Sequence, residues 1–119
     1  MIRVGTDIVS IERIEGSIRR FGKRFYARLL SEEESALLNS TPSSIAGYWA
    51  AKEAISKALG CGIGSSLSFV DIHIYKESSG APAFTLSEEA RKRFDIVSSS
   101  ISISHDGGFA IAVAIIETR

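Results

Sequence analysis

The end of this chain restricts its fold more than any other segment. In SISISHDGGFAIAVAIIE, residues 100–117, Asp106-Gly107 stands between a run that alternates serine with isoleucine and a more apolar one. An Asp-Gly pair flanked by alternating residues specifies a tight hairpin, because glycine accepts the positive φ of the turn and period-two alternation turns one face of each strand toward a core. The returning strand, FAIAVAIIE, reads as the more buried of the two.

The other elements must assemble around that ribbon. Ile2 and Val4 open a short strand, after which Ser10 can cap a helix whose Ile11, Ile14, Ile18 and Phe21 recur at helical spacing. Gly22 ends or bends it. Phe25, Tyr26, Leu29 and Leu30 form an apolar patch, and Ser31 with Glu34 spells a capping box before a short helix. Thr41 and Pro42 break the chain ahead of a third, alanine-rich helix from about Ser44 to Leu59, closed by Gly60. LSFVDIHIY, residues 67–75, reads as a strand with Val70, Ile72 and Ile74 on one face and Phe69, Asp71, His73 and Tyr75 on the other. A Ser-Ser-Gly turn, a strand APAFTL and a helix SEEARKRF capped by Ser87 complete the order before the hairpin. Strand, three helices, two strands, helix and hairpin is neither a regular βαβ alternation nor a repeat array. The expectation is one α+β domain over residues 1–119 with a mainly antiparallel sheet.

Size and charge exclude several classes. A chain of 119 residues can bury roughly two-thirds of its unfolded surface and needs no disulfide or metal to fold. Its single cysteine, Cys61, cannot bridge within the chain; with no thiolate cluster and no leader pattern, the reducing cytoplasm is the expected compartment. No apolar run approaches the about 20 residues of a membrane span. Fourteen basic and fourteen acidic residues sum to zero, which argues against a uniformly basic nucleic-acid binder. The charges are nonetheless unevenly placed: Arg13, Arg19, Arg20, Lys23, Arg24 and Arg28 face the single acid Glu15, and Glu32, Glu33 and Glu34 follow. This block is either a solvated helix face or a docking surface for an anionic partner.

Two segments can carry chemistry. In GTDIVSIER, Asp7 sits within an apolar strand, where a carboxylate must be paired, capped or bound to a cation. Gly5 beside it permits close backbone approach or simply packs tightly. In WAAKEAISK, residues 49–57, Trp49, Glu53, Ser56 and Lys57 project over one helical sector with Lys52 at its margin. Glu53 and Lys57 are also spaced for an ordinary surface ion pair of about 0.2–0.5 kcal/mol. Two carboxylates without convergent Cys or His suit a hard ion such as Mg²⁺, which completes its shell with water and phosphate. GCGIGS follows a helix and lacks a GK[ST] ending, so it reads as a cap and turn. His105, at the hairpin, is placed for a ligand contact or proton shuttle, or is an exposed turn histidine without a role.

GTDIVSIER, FYARLLSEEE, WAAKEAISKALGCG, SFVDIHI, a GAP turn and SISISHDGGFAIAVAI, in that order, resemble the holo-acyl-carrier-protein synthases, small bacterial members of the 4'-phosphopantetheinyl transferase superfamily. The resemblance rests on a G-x-D near the N-terminus combined with a W-x-x-K-E-x-x-x-K helix. It implies that fold, with a long central helix, and Mg²⁺-dependent transfer of 4'-phosphopantetheine from coenzyme A to a serine of apo-acyl carrier protein in fatty acid biosynthesis. Adenosine 3',5'-bisphosphate would leave. Asp7 and Glu53 would hold the metal, Lys57 would stabilise charge at the pyrophosphate, and Glu53 or a water would take the serine proton. His105 corresponds to the family histidine near the transfer site, and Ser56 and Pro82 to coenzyme A contacts. The family also implies a trimer with sites between subunits, and an acidic carrier docked on Arg13, Arg20, Arg24 and Arg28. Relatives often carry basic residues before the third helix and before its aromatic residue, where this chain reads NSTPSSIAGYW. The 3'-phosphate of coenzyme A is therefore expected to meet basic residues from elsewhere, a neighbouring subunit included.

Two other classes fit parts of the pattern. An oligomeric adaptor would use the arginines and need neither Asp7 nor Glu53, and a nucleotide pyrophosphohydrolase would share the metal chemistry but transfer to water.

Overall fold

Antiparallel pairing brings the two ends of the chain together. The computed structural model describes residues 1–38 and 41–119. Strand β1 (Ile2–Ser10) leads into helices α1 (Ile11–Phe21), α2 (Lys23–Leu29), α3 (Glu32–Leu37) and α4 (Pro42–Ala58). A 3₁₀ turn (Phe69–Asp71) precedes strands β2 (Ile72–Lys76) and β3 (Pro82–Leu86), then helix α5 (Glu88–Arg91) and the hairpin β4 (Ile96–Asp106) and β5 (Phe109–Thr118). Strand β5 is central in a sheet of order β1-β5-β4, and β2 with β3 forms a separate ribbon; every pairing is antiparallel. The expected α+β architecture is present.

Local sequence explains most boundaries. The hairpin turns at Gly107 and Gly108, whose φ values of 58° and 86° are the positive angles that the turn requires. Ser10 accepts the Arg13 N–H to start α1, and Ser31 and Glu34 form the reciprocal capping box of α3. Thr41 and Pro42 do not merely break the chain: Thr41 caps α4 and Pro42 is its first residue, so the helix starts before Ser44. Asn39 and Ser40, in the segment without basic residues, lie outside the described residues.

Helix α4 lies across the inner face of the three-stranded sheet on a bed of small side chains. Ala50, Ala51, Ala54 and Ala58 of the helix and Ala110, Ala112 and Ala114 of β5 are all buried. Contact with β1 is closer still. A Cβ on Gly5 would overlap the Ala54 carbonyl oxygen and stand 2.6 Å from the Ala58 nitrogen, so glycine is the residue that lets helix and strand backbones meet.

Two expectations change, at residues 67–75 and after Ser87. The segment 67–75 is not strand throughout: Asp71 accepts the Ser68 N–H and hydroxyl, which tightens a 3₁₀ turn. That turn buries Phe69 and exposes Val70, the reverse of the expectation at those two positions, while Ile72 and Ile74 are buried as expected. The helix after Ser87 is only Glu88–Arg91. Strand β5 is buried on one face alone; its other face presents Phe109, Ile111, Val113 and Ile115, continued on β1 by Ile2, Val4 and Ile8 (62% exposed). One chain therefore leaves a broad apolar sheet face in water.

Candidate active site

The approach of β1 to α4 at Gly5 fixes what lies two residues further along the strand. Asp7, opposite Ala112 on β5, points to the helix side of the sheet. Lys57, in the last turn of α4, donates to Asp7 Oδ1 at 2.9 Å and to the Thr6 carbonyl at 3.2 Å. Lys57 is thus paired with the strand and not with Glu53 on its own helix. Asp7 Oδ2 is buried and has no hydrogen-bond partner. A buried carboxylate oxygen with a free lone pair is costly, and it is what a cation ligand looks like before the cation is added.

Glu53 completes the group. Burial pushes its carboxyl pKa up, and the Asp7 charge pushes it further; Lys57, Arg13 and Arg28 pull the other way. Two hard oxygen donors, one of them orphaned, beside one ammonium fit a small divalent ion that takes its remaining ligands from water and phosphate. Among the described residues no cluster of three or more His, Cys, Asp or Glu offers a rival centre. Ser56, on the same helix, is buried and donates its hydroxyl back to the Glu53 carbonyl at 2.7 Å.

His105 and Pro82 lie apart from these groups. Together with Ser44, Gly47, Tyr48 and Lys76 they line a cavity of about 260 Å³. His105 is on β4, two strands from Asp7 on β1, and α4 crosses between them: its Gly47 lies against Ile103 of β4 and its Ala54 over Gly5 of β1. Within one chain the predicted site residues therefore form two groups on different elements.

The basic block also divides. Arg20 and Arg24 stand over the ring of Phe21, with guanidinium carbons 5.2 and 5.8 Å from its centroid, and Phe21 is exposed. Arg13 and Arg28 instead act on Glu53. Arg19 pairs loosely with Glu15 at 3.7 Å, both in solvent.

The sequence that builds this strand and alanine-bedded helix matches a known family. A model of the 4'-phosphopantetheinyl transferase superfamily matches residues 3–114. The chain belongs to this superfamily. It is 61% identical over 116 residues to a holo-[acyl-carrier-protein] synthase of Sulfurovum sp. (strain NBC37-1), an alignment covering 98% of this chain and 97% of that one. The solved Helicobacter pylori holo-[acyl-carrier-protein] synthase, in complex with coenzyme A, superposes with a TM-score of 0.91 at 54% identity, covering 96% of this chain and 99% of that one. The Neisseria meningitidis holo-[acyl-carrier-protein] synthase gives 0.92 at 34% identity, with 99% and 100% covered.

For a phosphopantetheinyl transferase, three residues gain interest that sequence spacing did not give them. Lys52, placed at the margin of the reactive sector by helical geometry, points the other way and is fully buried against Glu34. Its signal was present as a lysine among alanines. Lys76 closes β2 at the cavity of His105, and Phe21 is an exposed ring held between two arginines.

Proposed function

We propose that this chain is a holo-acyl-carrier-protein synthase, acting as one phosphopantetheinyl transferase domain over residues 1–119. It moves 4'-phosphopantetheine from coenzyme A to a serine of apo-acyl carrier protein, in the cytoplasm and in fatty acid biosynthesis. The observation that carries this reading is the orphaned, buried Oδ2 of Asp7 beside Lys57 and Glu53, in a member of a family of such transferases.

The residues divide the work by chemistry. Asp7 and Glu53 would hold Mg²⁺, which when bound neutralises pyrophosphate oxygens as a Lewis acid. The serine hydroxyl attacks the phosphorus that carries the pantetheine arm, and the bond from that phosphorus to the bridging oxygen of the pyrophosphate breaks. Adenosine 3',5'-bisphosphate leaves with the electron pair. Lys57 faces the charge that develops on the leaving oxygens. Glu53, or a water held beside it, takes the serine proton. His105 and Pro82 flank the nucleotide in the second cavity; Ser56, expected as a coenzyme A contact, is buried in the single chain with its hydroxyl on the Glu53 carbonyl, so its part is to support Glu53. Lys76, on that cavity, is the ammonium suited to the 3'-phosphate in place of the basic residues missing ahead of Trp49.

The two groups of site residues can act on one coenzyme A if they come from different copies. We infer a homotrimer in which the apolar outer face of the sheet is covered by neighbours and the His105 cavity of one copy faces Asp7 and Glu53 of the next. The acidic carrier docks on Arg13, Arg20, Arg24 and Arg28. Neither nucleic acid nor membrane enters this reading; among the described residues no helix is long and apolar enough to cross a bilayer.

Chromatography of the nucleotide product tests the reaction type. With coenzyme A and Mg²⁺, adenosine 3',5'-bisphosphate is expected only when apo-carrier is added. Equal release without carrier would make the protein a hydrolase.

A further inference from the structure

Lys52 is a charged side chain with no solvent exposure in the middle of a hydrophobic core. Its ammonium has three protons and uses all of them: Nζ donates to the Leu29 carbonyl at 2.7 Å, to Glu34 Oε1 at 2.7 Å and to the Phe69 carbonyl at 3.0 Å. Glu34 is as fully engaged. Its Oε1 also accepts the Ser31 N–H and its Oε2 the Ile74 N–H, each at 2.9 Å. The end of α2, the cap of α3, the middle of α4, the 3₁₀ turn and β2 therefore meet on one ion pair. Burying such a pair is expensive, and apolar side chains of equal volume commonly serve stability as well or better. A role beyond stability is more consistent with its cost.

The geometry around Arg28 identifies that role. Leu29 and Phe69, whose carbonyls Lys52 collects, bracket Arg28: it directly precedes Leu29, and its guanidinium carbon stands 5.7 Å from the Phe69 ring centroid. On the outer side, Phe25 of α2 stacks on Trp49 of α4 at 5.9 Å, and Trp49 packs against Phe69 at 4.6 Å. Helix α2 is thus gripped from within by Lys52 and from outside by Trp49. Arg28 in turn acts electrostatically on Glu53, the residue after Lys52 on α4.

We propose that Lys52, held by Glu34, is a positioning residue for the transfer reaction: by fixing the Leu29 and Phe69 carbonyls it sets Arg28, and the carrier resting on α2, in register with Glu53. This rests on the reading of α2 as a carrier-docking helix. Lys52 itself is sealed from substrate and touches none of the reacting atoms.

Steady-state kinetics with coenzyme A, Mg²⁺ and apo-acyl carrier protein test it on three variants: Lys52→Met combined with Glu34→Gln, Arg28→Ala, and all three changes together. The paired change removes both charges at nearly constant volume and is expected to fold. It should raise KM for the carrier about tenfold while KM for coenzyme A stays within about twofold, and the triple variant should be little worse than either parent, because residues acting through one contact are not additive. An unchanged carrier KM in the paired variant, a parallel rise for both substrates, or a fully additive triple variant would overturn the proposal. So would failure of the paired variant to fold, which would make the ion pair a requirement of folding alone. If Arg28→Ala by itself leaves carrier KM unchanged, it is the docking reading that falls, and the positioning role falls with it.

Discussion

Lys57 bonds Asp7 across the α4–β1 contact at 2.9 Å, while Glu53, one turn back on the same helix, is left to the field of its neighbours. The spacing that suggested an i,i+4 surface pair is thus used for something else. Lys57 is half exposed and Asp7 only 13% exposed, so the ammonium reaches from solvent onto a carboxylate that is mostly inside. In the proposed mechanism, Lys57 as charge stabiliser and Asp7 as metal ligand have separable roles. Lys57→Met is expected to lower turnover about 10²-fold, in the range of a lost electrostatic stabiliser, without weakening Mg²⁺ binding. Calorimetry of Mg²⁺ binding beside the rate measurement checks it; parallel loss of both would make Lys57 part of the metal site.

Glu53 gives a pH-dependent stability prediction whose sign follows from its environment. Its folded-state pKa is raised, by burial first and the Asp7 charge second, so the folded protein holds that proton more tightly than the unfolded chain. The group's contribution is fully present below its unfolded pKa and is lost as pH rises through the folded value. At neutral pH the ionised carboxylate therefore opposes folding. Metal-free Glu53→Gln should melt at a higher temperature than the parent near pH 7.5, and the gap should close as the pH approaches the ordinary glutamate range. A lower melting temperature at neutral pH would mean that Glu53 is stabilised by its cations more than it is opposed by burial.

Gly5 lets β1, which carries Asp7, meet α4, which carries Glu53 and Lys57. An added methyl would strike the α4 backbone, which has no flexible side chain to move aside. Gly5→Ala is expected to destabilise the protein by about 3 kcal/mol or more, as an overpacked core position does, and to reduce Mg²⁺ affinity in whatever fraction remains folded. Gly47→Ala, whose new methyl would meet only the Ile103 side chain at 3.1 Å, should cost much less. Thermal melts of both variants decide this, and equal costs would place the close approach elsewhere.

A shared site predicts complementation. Asp7→Asn and His105→Ala should each be impaired alone. If α4 separates the two groups within a chain and a neighbouring copy unites them, an equal mixture of exchanging variants regenerates about a quarter of the sites with both native residues. Activity no greater than the mean of the two separate variants would place Asp7 and His105 of one chain in one site.

Much of this was legible in the sequence because it depended on neighbours in sequence. The Ser31–Glu34 box and the Gly60 cap are local chemistry, and each appears where the residues put it; the hairpin is also present, but its turn lies one residue later than Asp106-Gly107, at Gly107-Gly108, because Asp106 still pairs with Phe109. Asp7 stood out because a carboxylate in an apolar strand requires an explanation. What could not be read depended on contacts distant in sequence. The direction of Lys52 is set by Glu34, 18 residues earlier, and by carbonyls of Leu29 and Phe69. Phe69 and Val70 exchanged faces because three residues tightened into a turn. FAIAVAIIE reads as the more buried strand of the hairpin and is so, but on one face only; the other, Phe109 to Ile115, is exposed.

In the proposed mechanism an intact phosphopantetheinyl group is transferred at Asp7 and its partners. Intact-mass spectrometry of apo-acyl carrier protein after incubation with coenzyme A, Mg²⁺ and either the native protein or Asp7→Asn tests it most directly. The carrier is expected to gain the mass of one phosphopantetheinyl group on a serine with the native protein and none with Asp7→Asn at equal times. A carrier whose mass does not change with the native protein, or one modified equally by Asp7→Asn, would contradict it.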